Sequence, residues 1–288
     1  AGIIEPGHFR FSANGEIVLR PEGRPGFGHK GIGGLLTNTT LEAATKVVAR
    51  VSGDSTVAYS LAFARAAEAA LGIGVPQRAI WLRALMAELE RLANHLGDIG
   101  AICNDAAFAL MLAHCGILRE EVLRAAKAAF GHRLMMDRIV PGGVTADLHD
   151  SEPVTPLTAR IRQRFPRLVE LYDNTASLQN RTVSTGRLSA DLARRFGAGG
   201  PIGRASGRAF DARKAPGYPP YGDLDFKMVK RENGDVDSRI WVRIDEVYES
   251  LELIEQIVDR LPPGTIAYPL APALRERRVP QAGGLANE

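Results

Sequence analysis

The sequence predicts a mainly helical α+β fold, in which a helical bundle core carries two β-hairpins at its edges. One segment, from Pro76 to about Gly100, has leucines at helical spacing, which gives a helix an apolar face: Leu82, Leu85, Leu89, Leu92 and Leu96. Two Asn-Gly dipeptides, which favour the tight turn of a hairpin, each lie within alternating apolar and polar sequence. The 288 residues contain enough apolar side chains for a large core.

The first elements are a hairpin, a loop and a short helix. Asn14-Gly15 predicts a hairpin over Phe9 to Arg20. Glycines and prolines make residues 20–34 a loop, which carries His29. Thr39 or Thr40 is then expected to cap a helix that ends near Ala49, with Glu42 in the position of a capping box.

The middle of the chain is strongly helical. We expect a helix from Thr56 to Leu71 that stops at Gly72, and the leucine-rich helix described above, which begins at Pro76. Further helices are predicted over residues 105–114, 118–131 and 153–172. The last of these has a basic side of four arginines, for which a solvated face is the common explanation.

The last third changes character. Residues 180–221 are rich in Gly, Arg and Pro, and irregular loops of this length are usually functional. We expect a short helix over 189–196, then a second hairpin over 224–230 and 236–244 around Asn233-Gly234. Asp245 is expected to cap a last helix to Leu261, before an extended tail beyond Tyr268. The chain thus divides into a hairpin region (1–36), a helical core (37–175) and a loop, hairpin and helix region (176–288).

Composition excludes several classes of protein. A formal charge of +3 does not indicate a nucleic-acid binder, and the Arg-rich stretch 187–214 has only Phe196 and Phe210 as interleaved aromatics, too few for a stacking platform. Two cysteines in apolar helical sequence argue against a disulfide framework and favour a reducing compartment, the cytoplasm. No apolar run is long enough to span a membrane, and no strand–GxGxxG–helix unit predicts nicotinamide binding in this chain. Because the sequence begins at Ala1, we expect a piece of a longer protein.

The segment from Arg50 to Ala62 places two serines three residues apart before a helix. Cysteines at Ser52 and Ser55 would form a CxxC metal clamp, but a hydroxyl is far too weakly acidic to replace a thiolate as a ligand. The alternative is an N-capping turn, in which Ser55 accepts hydrogen bonds from the first-turn amides. Both interpretations remain open from the residues alone.

Several stretches together resemble one superfamily, the large subunit of nickel–iron hydrogenases and its descendant, the 49-kilodalton subunit of respiratory complex I. In detail, the residues of these stretches are most similar to the energy-converting hydrogenase branch that includes formate hydrogenlyase. The stretches are EPGHFRF at 5–11, HKGIG at 29–33, residues 50–66, ERLANHL at 90–96, PGGV at 141–144, RASG at 204–207 with Asp211 and Arg213, and GDV at 234–236 with Arg239, Arg243 and Glu246.

The departures from this family bear on the metal. Ser52, Ser55 and Tyr59 stand where such hydrogenases have two cysteines and a histidine, and Gly33 replaces an acidic residue. The second cysteine pair of the family belongs to a C-terminal segment beyond Glu288. The resemblance therefore predicts that the chain binds no nickel and activates no hydrogen. It implies a complex that transfers electrons without nickel.

The resemblance also implies roles for individual residues. In complex I a His–Asp pair donates hydrogen bonds and protons to the quinone headgroup, and His8 and Asp105 match this pair. The family's quinone-contacting tyrosine aligns with Gly53 in this sequence, and the nearby Tyr59 is the candidate to replace it. His29, Ser52 and Ser55 are expected beside the cofactor cavity. Arg204, Asp211 and Arg213 resemble a loop-fixing ion-pair set, and such arginines lie near the terminal iron–sulfur cluster of a partner subunit in this family.

Each candidate has a plainer alternative. His8 can be a surface histidine beside a turn, and Asp105, in apolar sequence, can be a helix N-cap unless it is paired or neutralised. The apolar surroundings of His95 are more typical of a hydrogen-bonded core histidine than of a metal ligand. Cys103 and Cys115 are expected to be small core residues.

The leading functional prediction is a subunit of a membrane-associated oxidoreductase complex, NADH:quinone oxidoreductase-like or hydrogenase-related. It would line a quinone-type or vestigial nickel-site cavity beside an iron–sulfur small subunit. Membrane ion-pumping subunits would hold it on the inner face of the cell membrane without a span of its own, and any NADH would bind another subunit. The alternative is a redox-inactive subunit that couples a partner's conformation to ion pumping.

Overall fold

The computed structural model describes residues 7–148 and 153–279. It begins with an antiparallel hairpin of β1 (His8–Asn14) and β2 (Ile17–Arg24), whose turn places Gly15 at a φ of 61°. This confirms the first predicted hairpin, and both strands are exposed along their whole length. The first two residues of the EPGHFRF stretch and the end of the predicted tail, 280–288, lie outside the described residues.

Helices make up most of the remaining chain. The long ones are α3 (Thr56–Leu71), α4 (Gln77–Asp105), α5 (Ala109–Phe130), α6 (Thr155–Asp173) and α10 (Val236–Asp259). The short ones are α1 (Ile32–Leu36), α2 (Leu41–Val48), α7 (Ala176–Thr182), α8 (Ala190–Arg195), α9 (Gly200–Ala205) and α11 (Pro272–Arg275). A two-residue β-pair joins β3 (Ile139–Val140) to β4 (Gly143–Val144). The architecture is therefore mainly helical, as predicted.

The core lies around α4. It packs against α5, which follows after a three-residue connection, and against α10 from the far end of the chain. The five leucines of the predicted apolar face are fully buried: Leu82, Leu85, Leu89, Leu92 and Leu96. The helical periodicity of this segment is thus confirmed, because the stripe that it predicts is the one that packs.

The second predicted hairpin is wrong. Gly234 does adopt a positive φ of 70°, but Asp235 then accepts hydrogen bonds from Ser238 N and Oγ and caps one continuous helix, α10. The expected helix start at Asp245 is therefore also wrong. Ile240, Val242 and Ile244 alternate as in a strand, yet all three are buried because neighbouring elements surround α10 on several sides.

The break that we predicted between residues 114 and 118 is wrong as well, since α5 is continuous there. The Thr40 cap is confirmed, because its Oγ1 accepts from Ala43 N; Glu42 instead pairs with Lys46 on the helix surface. Helix α3 ends as predicted at Gly72, whose φ is 64°.

The tail is better ordered than its composition predicts. Backbone hydrogen bonds join Asn38 N to Val279 O, Leu41 N to Arg277 O and Val279 N to Thr39 O, so this strand-like segment lies against the start of α2. Among residues 7–148 and 153–279, no helix is long and apolar enough to cross a bilayer.

A buried ion pair fixes the PGGV turn beneath α3 and α4. Arg83 bonds both Glu68 oxygens and the Val140 and Gly143 carbonyls, while Gly142 N donates to Glu68. A Cβ on Gly143 would lie 2.3 Å from Ile266 O, so only glycine permits this close approach of the two backbones.

Candidate functional site

A cavity of about 490 Å³ lies between α3, α4, α9 and α10 and the loop positions Ala212 and Tyr218. One face of α4 forms much of the cavity wall. Its lining residues follow one another at alternating steps of three and one along the helix, which keeps them on one side: Ala87, Glu90, Arg91, Asn94, His95 and Asp98. The polar residues that line the cavity are Ser55, Arg65, Glu90, Arg91, Asn94, His95, Asp98 and Arg243. The volume is that of a typical small-molecule pocket, and its polar groups can orient a ligand that accepts hydrogen bonds.

The segment with the two serines reaches this cavity at Ser55, whereas Ser52 does not line it. Gly53–Ser55 is a single 3-10 turn, closed by a bond of 3.2 Å from Ser55 N to Ser52 O. Two side chains pin Asp54 from neighbouring helices: Asn94 donates to its carbonyl at 2.8 Å, and Arg119 to its carboxylate at 2.9 Å. The turn is therefore held in place from α4 and α5.

Glu90, and not Ser55, caps helix α3. Its two carboxylate oxygens accept from Val57 N at 2.7 Å and Ala58 N at 2.9 Å. Ser55 stands at the N-cap position, but within residues 7–148 and 153–279 its side chain makes no capping bond. Burial raises the pKa of Glu90 to about 8, although the two amide donors oppose this shift. The expected Ser55 cap is replaced by a carboxylate from another helix.

His95 connects the cavity to a buried ion pair. Its Nε2 lies 2.8 Å from Glu246 Oε2, and Arg204 Nε donates to Glu246 Oε1 at 2.5 Å. Burial lowers the pKa of His95, which keeps the imidazole neutral, while contact with Glu246 acts in the opposite direction. Burial also opposes the ionisation of Glu246, but contact with His95 and the hydrogen bond and positive charge of Arg204 outweigh it and hold the pKa of this carboxyl at about 2.

A second buried network lies beside the first. Arg213 donates to both Asp211 oxygens, at 3.0 and 2.7 Å, and to Glu88 at 3.0 Å. Tyr221 and Ser250 donate to Glu88 at 2.6 and 2.8 Å. Although burial disfavours its charge, the cations Arg213 and Arg91 lower the pKa of Glu88, so the carboxylate stays ionised.

Arg204, Asp211 and Arg213 thus belong to the ion-pair networks that fix the loop after α9. Their exposed fractions are 3, 4 and 4 %, so in this chain they lie beneath the surface and contact other protein groups. A direct contact with a partner's cluster, as the resemblance implies, remains a prediction for the assembled complex.

The other predicted site residues lie apart from the cavity. His8 begins the exposed hairpin, and Asp105 is the exposed last residue of α4, so it is neither an N-cap nor in need of a buried partner. Within the described residues, no hydrogen bond or ion pair joins the two. Tyr59 is 43 % exposed on α3, and His29 accepts a bond from Gly31 N in its own loop.

The donor groups present do not fit a nickel–iron site. Ser52 and Ser55 offer hydroxyls in place of thiolates. Cys103 and Cys115 are buried between α4 and α5, where burial raises the pKa of each thiol to about 12, and neither lines the cavity. In the part of the chain that the structure describes, no group of three or more His, Cys, Asp and Glu side chains is placed to hold a metal ion.

Sequence reasoning misses most of the cavity residues. It quotes Glu90, Arg91 and Asn94 only as part of the ERLANHL stretch and gives them no role, omits Asp98, and interprets His95 as a core histidine. A signal is present, because these residues share one helical face at spacings of three and four within an otherwise apolar segment. Arg243 comes from α10 and is 145 residues from its partner Asp98, so no local pattern connects the two.

Chemically, the cavity can bind a polar ring and handle protons. Arg65, Arg91 and Arg243 supply N–H donors, neutral His95 can take up a proton, and Glu90 is a carboxyl whose pKa is close to physiological pH.

Comparison with known proteins identifies the family of this chain. The sequence profile described as "Respiratory-chain NADH dehydrogenase, 49 Kd subunit" matches residues 105–280. Formate hydrogenlyase subunit 5 of Escherichia coli is 34% identical over 265 residues, which are 91% of this chain and 47% of that protein. The chain thus spans about half the length of this relative.

Two further relatives cover both sides of the superfamily. Carbon monoxide-induced hydrogenase of Rhodospirillum rubrum is 32% identical over 94% of this chain and 76% of its own length. A subunit of NADH-quinone oxidoreductase from Magnetococcus marinus is 34% identical over 88% of this chain and 64% of its own length. With the profile match over more than half of the chain, these similarities show that the protein belongs to the family of the 49-kilodalton subunit of respiratory-chain NADH dehydrogenase.

Proposed function

We propose that this chain is a subunit of a membrane-associated electron-transfer oxidoreductase complex, in which it works beside an iron–sulfur subunit and reduces a quinone-type acceptor without nickel. The observation that carries the proposal is the cavity that Ser55 lines, in a chain whose relatives include both a quinone oxidoreductase subunit and hydrogenase subunits. The metal-ligand positions hold hydroxyls, yet the cavity retains cations and proton-handling groups.

The chemistry of quinone reduction suits these side chains. Two electrons and two protons convert a quinone to a quinol, and the electrons would come from a reduced iron–sulfur cluster of the partner. Arg65, Arg91 and Arg243 would stabilise negative charge that develops on the ring oxygens, and His95, neutral at rest, would take up a proton and pass it on to the ring. The cavity volume accommodates a headgroup, with the surrounding protein excluding part of the solvent.

Partners, donor and location belong to the same proposal. Membrane ion-pumping subunits would hold the chain on the cytoplasmic face of the membrane, and NADH, if it is the donor, would bind another subunit. His8, Asp105 and Tyr59 remain candidates that the resemblance implies. Because all three are exposed and lie outside the cavity, we assign the first contacts with the headgroup to the cavity residues.

A redox-inactive coupling subunit is the second candidate, and the buried networks favour it. Arg213, Glu88 and Asp211, with Arg204 and Glu246, would transmit movement as one rigid unit between the loop after α9 and α10. This function would need no turnover in the cavity.

The experiment is a purification of the full-length protein with its native partners. Nickel and iron are counted per complex, and reduction of a short-chain ubiquinone is assayed with reduced methyl viologen as the electron source. Iron without nickel, together with quinone turnover, is the expected result. Stoichiometric nickel with hydrogen uptake would overturn the proposal, and iron without either activity would favour the coupling subunit.

A further inference from the structure

Glu90 differs from the buried glutamates Glu68, Glu88 and Glu246 because, among the described residues, no cation neutralises its charge through a direct ion pair. Glu88 pairs with Arg213, Glu246 with Arg204 and Glu68 with Arg83, in each case through a direct ion pair. Within residues 7–148 and 153–279, no salt bridge joins Glu90 to a cation; two backbone amides hold it instead. Such a carboxyl can change its protonation state without leaving a buried cation unpaired.

The surrounding charges are already engaged. Asp54, on the 3-10 turn, pairs with Arg119 of α5, and Asp98 of α4 pairs with Arg243 of α10. Arg91 lies 3.7 Å from Glu88 and 3.8 Å from Glu246, and Arg65 of α3 lies over the ring of Tyr218. His95, kept neutral by burial, contacts Glu246. The amides of Val57 and Ala58 are therefore the direct partners of the Glu90 carboxyl.

Protonation changes what this carboxyl can do. An ionised carboxylate accepts a hydrogen bond on each oxygen, as it does here from Val57 N and Ala58 N. A carboxylic acid carries an O–H donor on one oxygen, and that donor would face the amide donor of the backbone. One of the two amide bonds is then lost, and the first turn of α3 loses part of its cap.

We propose that Glu90 is a positioning residue whose proton binding sets the conformation of the cavity edge formed by residues 52–58. The ionised form fixes this edge against α4, and the protonated form loosens it. The importance of this control for turnover rests on the proposed function, whereas the conformational response is a property of the protein itself. It would couple proton uptake to the shape of the cavity.

Amide hydrogen exchange tests the response directly in the full-length protein with its partners. Exchange of Val57 and Ala58 is compared at about pH 6.5 and about pH 9.5, on either side of the Glu90 pKa, after correction for the intrinsic exchange rate. Wild type is expected to gain roughly tenfold protection at the higher pH, the effect of one hydrogen bond to a charged group. Glu90→Gln is expected to show no such gain.

Two further variants keep the test decisive. Glu170→Gln removes an exposed glutamate on α6 and is expected to retain the wild-type response. Glu90→Asp keeps the charge but is too short to reach both amides, so its gain should be smaller than that of wild type. Equal protection of wild type at both pH values, or an unchanged response in Glu90→Gln, would overturn the proposal.

Quinone reduction is assayed separately on the same preparations. A pH response of the two amides without quinone turnover would uphold the role of Glu90 and overturn the proposed function. Quinone turnover without the pH response of the two amides would overturn the role of Glu90 and uphold the proposed function.

Discussion

The imidazole Nε2 of His95 lies 2.8 Å from Oε2 of Glu246, and this contact joins the cavity to the buried ion pairs behind it. His95 lines the cavity, while Glu246 also accepts from Arg204, which supports the loop after α9. A change of charge at Glu246 therefore alters its contacts with His95 in the cavity wall and with Arg204 beneath the loop at the same time.

The first prediction concerns the stability that this contact provides. Glu246→Gln leaves Arg204 buried without its counter-ion, which should lower the free energy of unfolding by about 3 kcal/mol. Urea unfolding of the full-length protein measures the change. The exposed Glu170→Gln substitution is the control and should alter stability by less than about 0.5 kcal/mol. Equal stability of the two variants would contradict the account.

The same carboxyl predicts an acid-sensitive stability. The folded-state pKa of Glu246, about 2, lies below the ordinary value of 4.5, so folding favours the ionised form. Its contribution is complete above about pH 4.5 and declines as the pH falls towards 2. The difference in unfolding free energy between wild type and Glu246→Gln should shrink across that interval. If the difference in unfolding free energy between wild type and Glu246→Gln stayed constant down to low pH, the charge of Glu246 would not be what stabilises the fold.

A third prediction separates geometry from charge at Arg213. Arg213→Lys keeps the positive charge but cannot bond both Asp211 oxygens and Glu88 at once. We expect a loss of about 2 to 3 kcal/mol in unfolding free energy and faster amide exchange in residues 208–223. Arg167→Lys, at an exposed position on α6, is the matched control. Normal exchange in Arg213→Lys would mean that charge alone fixes the loop.

A fourth prediction concerns access to the cavity. Ala62 lines it from α3, whereas Ala69 lies two turns further along the same side of the helix and outside it. Ala62→Trp should raise the KM for a short-chain quinone at least about tenfold by occupying the space of the ring, while Ala69→Trp should leave the KM unchanged. Similar KM values for both variants would place the acceptor elsewhere.

The sequence is informative wherever one local signal governs the structure. The leucine spacing of α4 and the turn at Asn14-Gly15 both predict correct elements. Asn233-Gly234 is misleading, because the Asp235 cap and the burial of α10 on several sides outweigh its hairpin signal. Alternating β-branched residues predict a strand and a surrounded helix equally well.

The site is harder to predict because its contacts are long-range. Glu90 reaches helix α3 across 32 and 33 residues, and Arg213 reaches Glu88 across 125. The motif at Ser52 and Ser55 marks a segment of which Ser55 lines the cavity, but it does not indicate that a carboxylate from another helix caps α3. His8 and Asp105 come from the resemblance alone, and their positions in this chain are exposed.

Photoaffinity labelling with an azido-quinone identifies the residues that contact the acceptor. In the full-length complex, we expect a label on α3 or α4 peptides within residues 55–65 or 87–98, and excess unlabelled quinone should prevent the labelling. A label confined to the exposed hairpin around His8, or one that quinone does not displace, would contradict the assignment of the cavity as the quinone site.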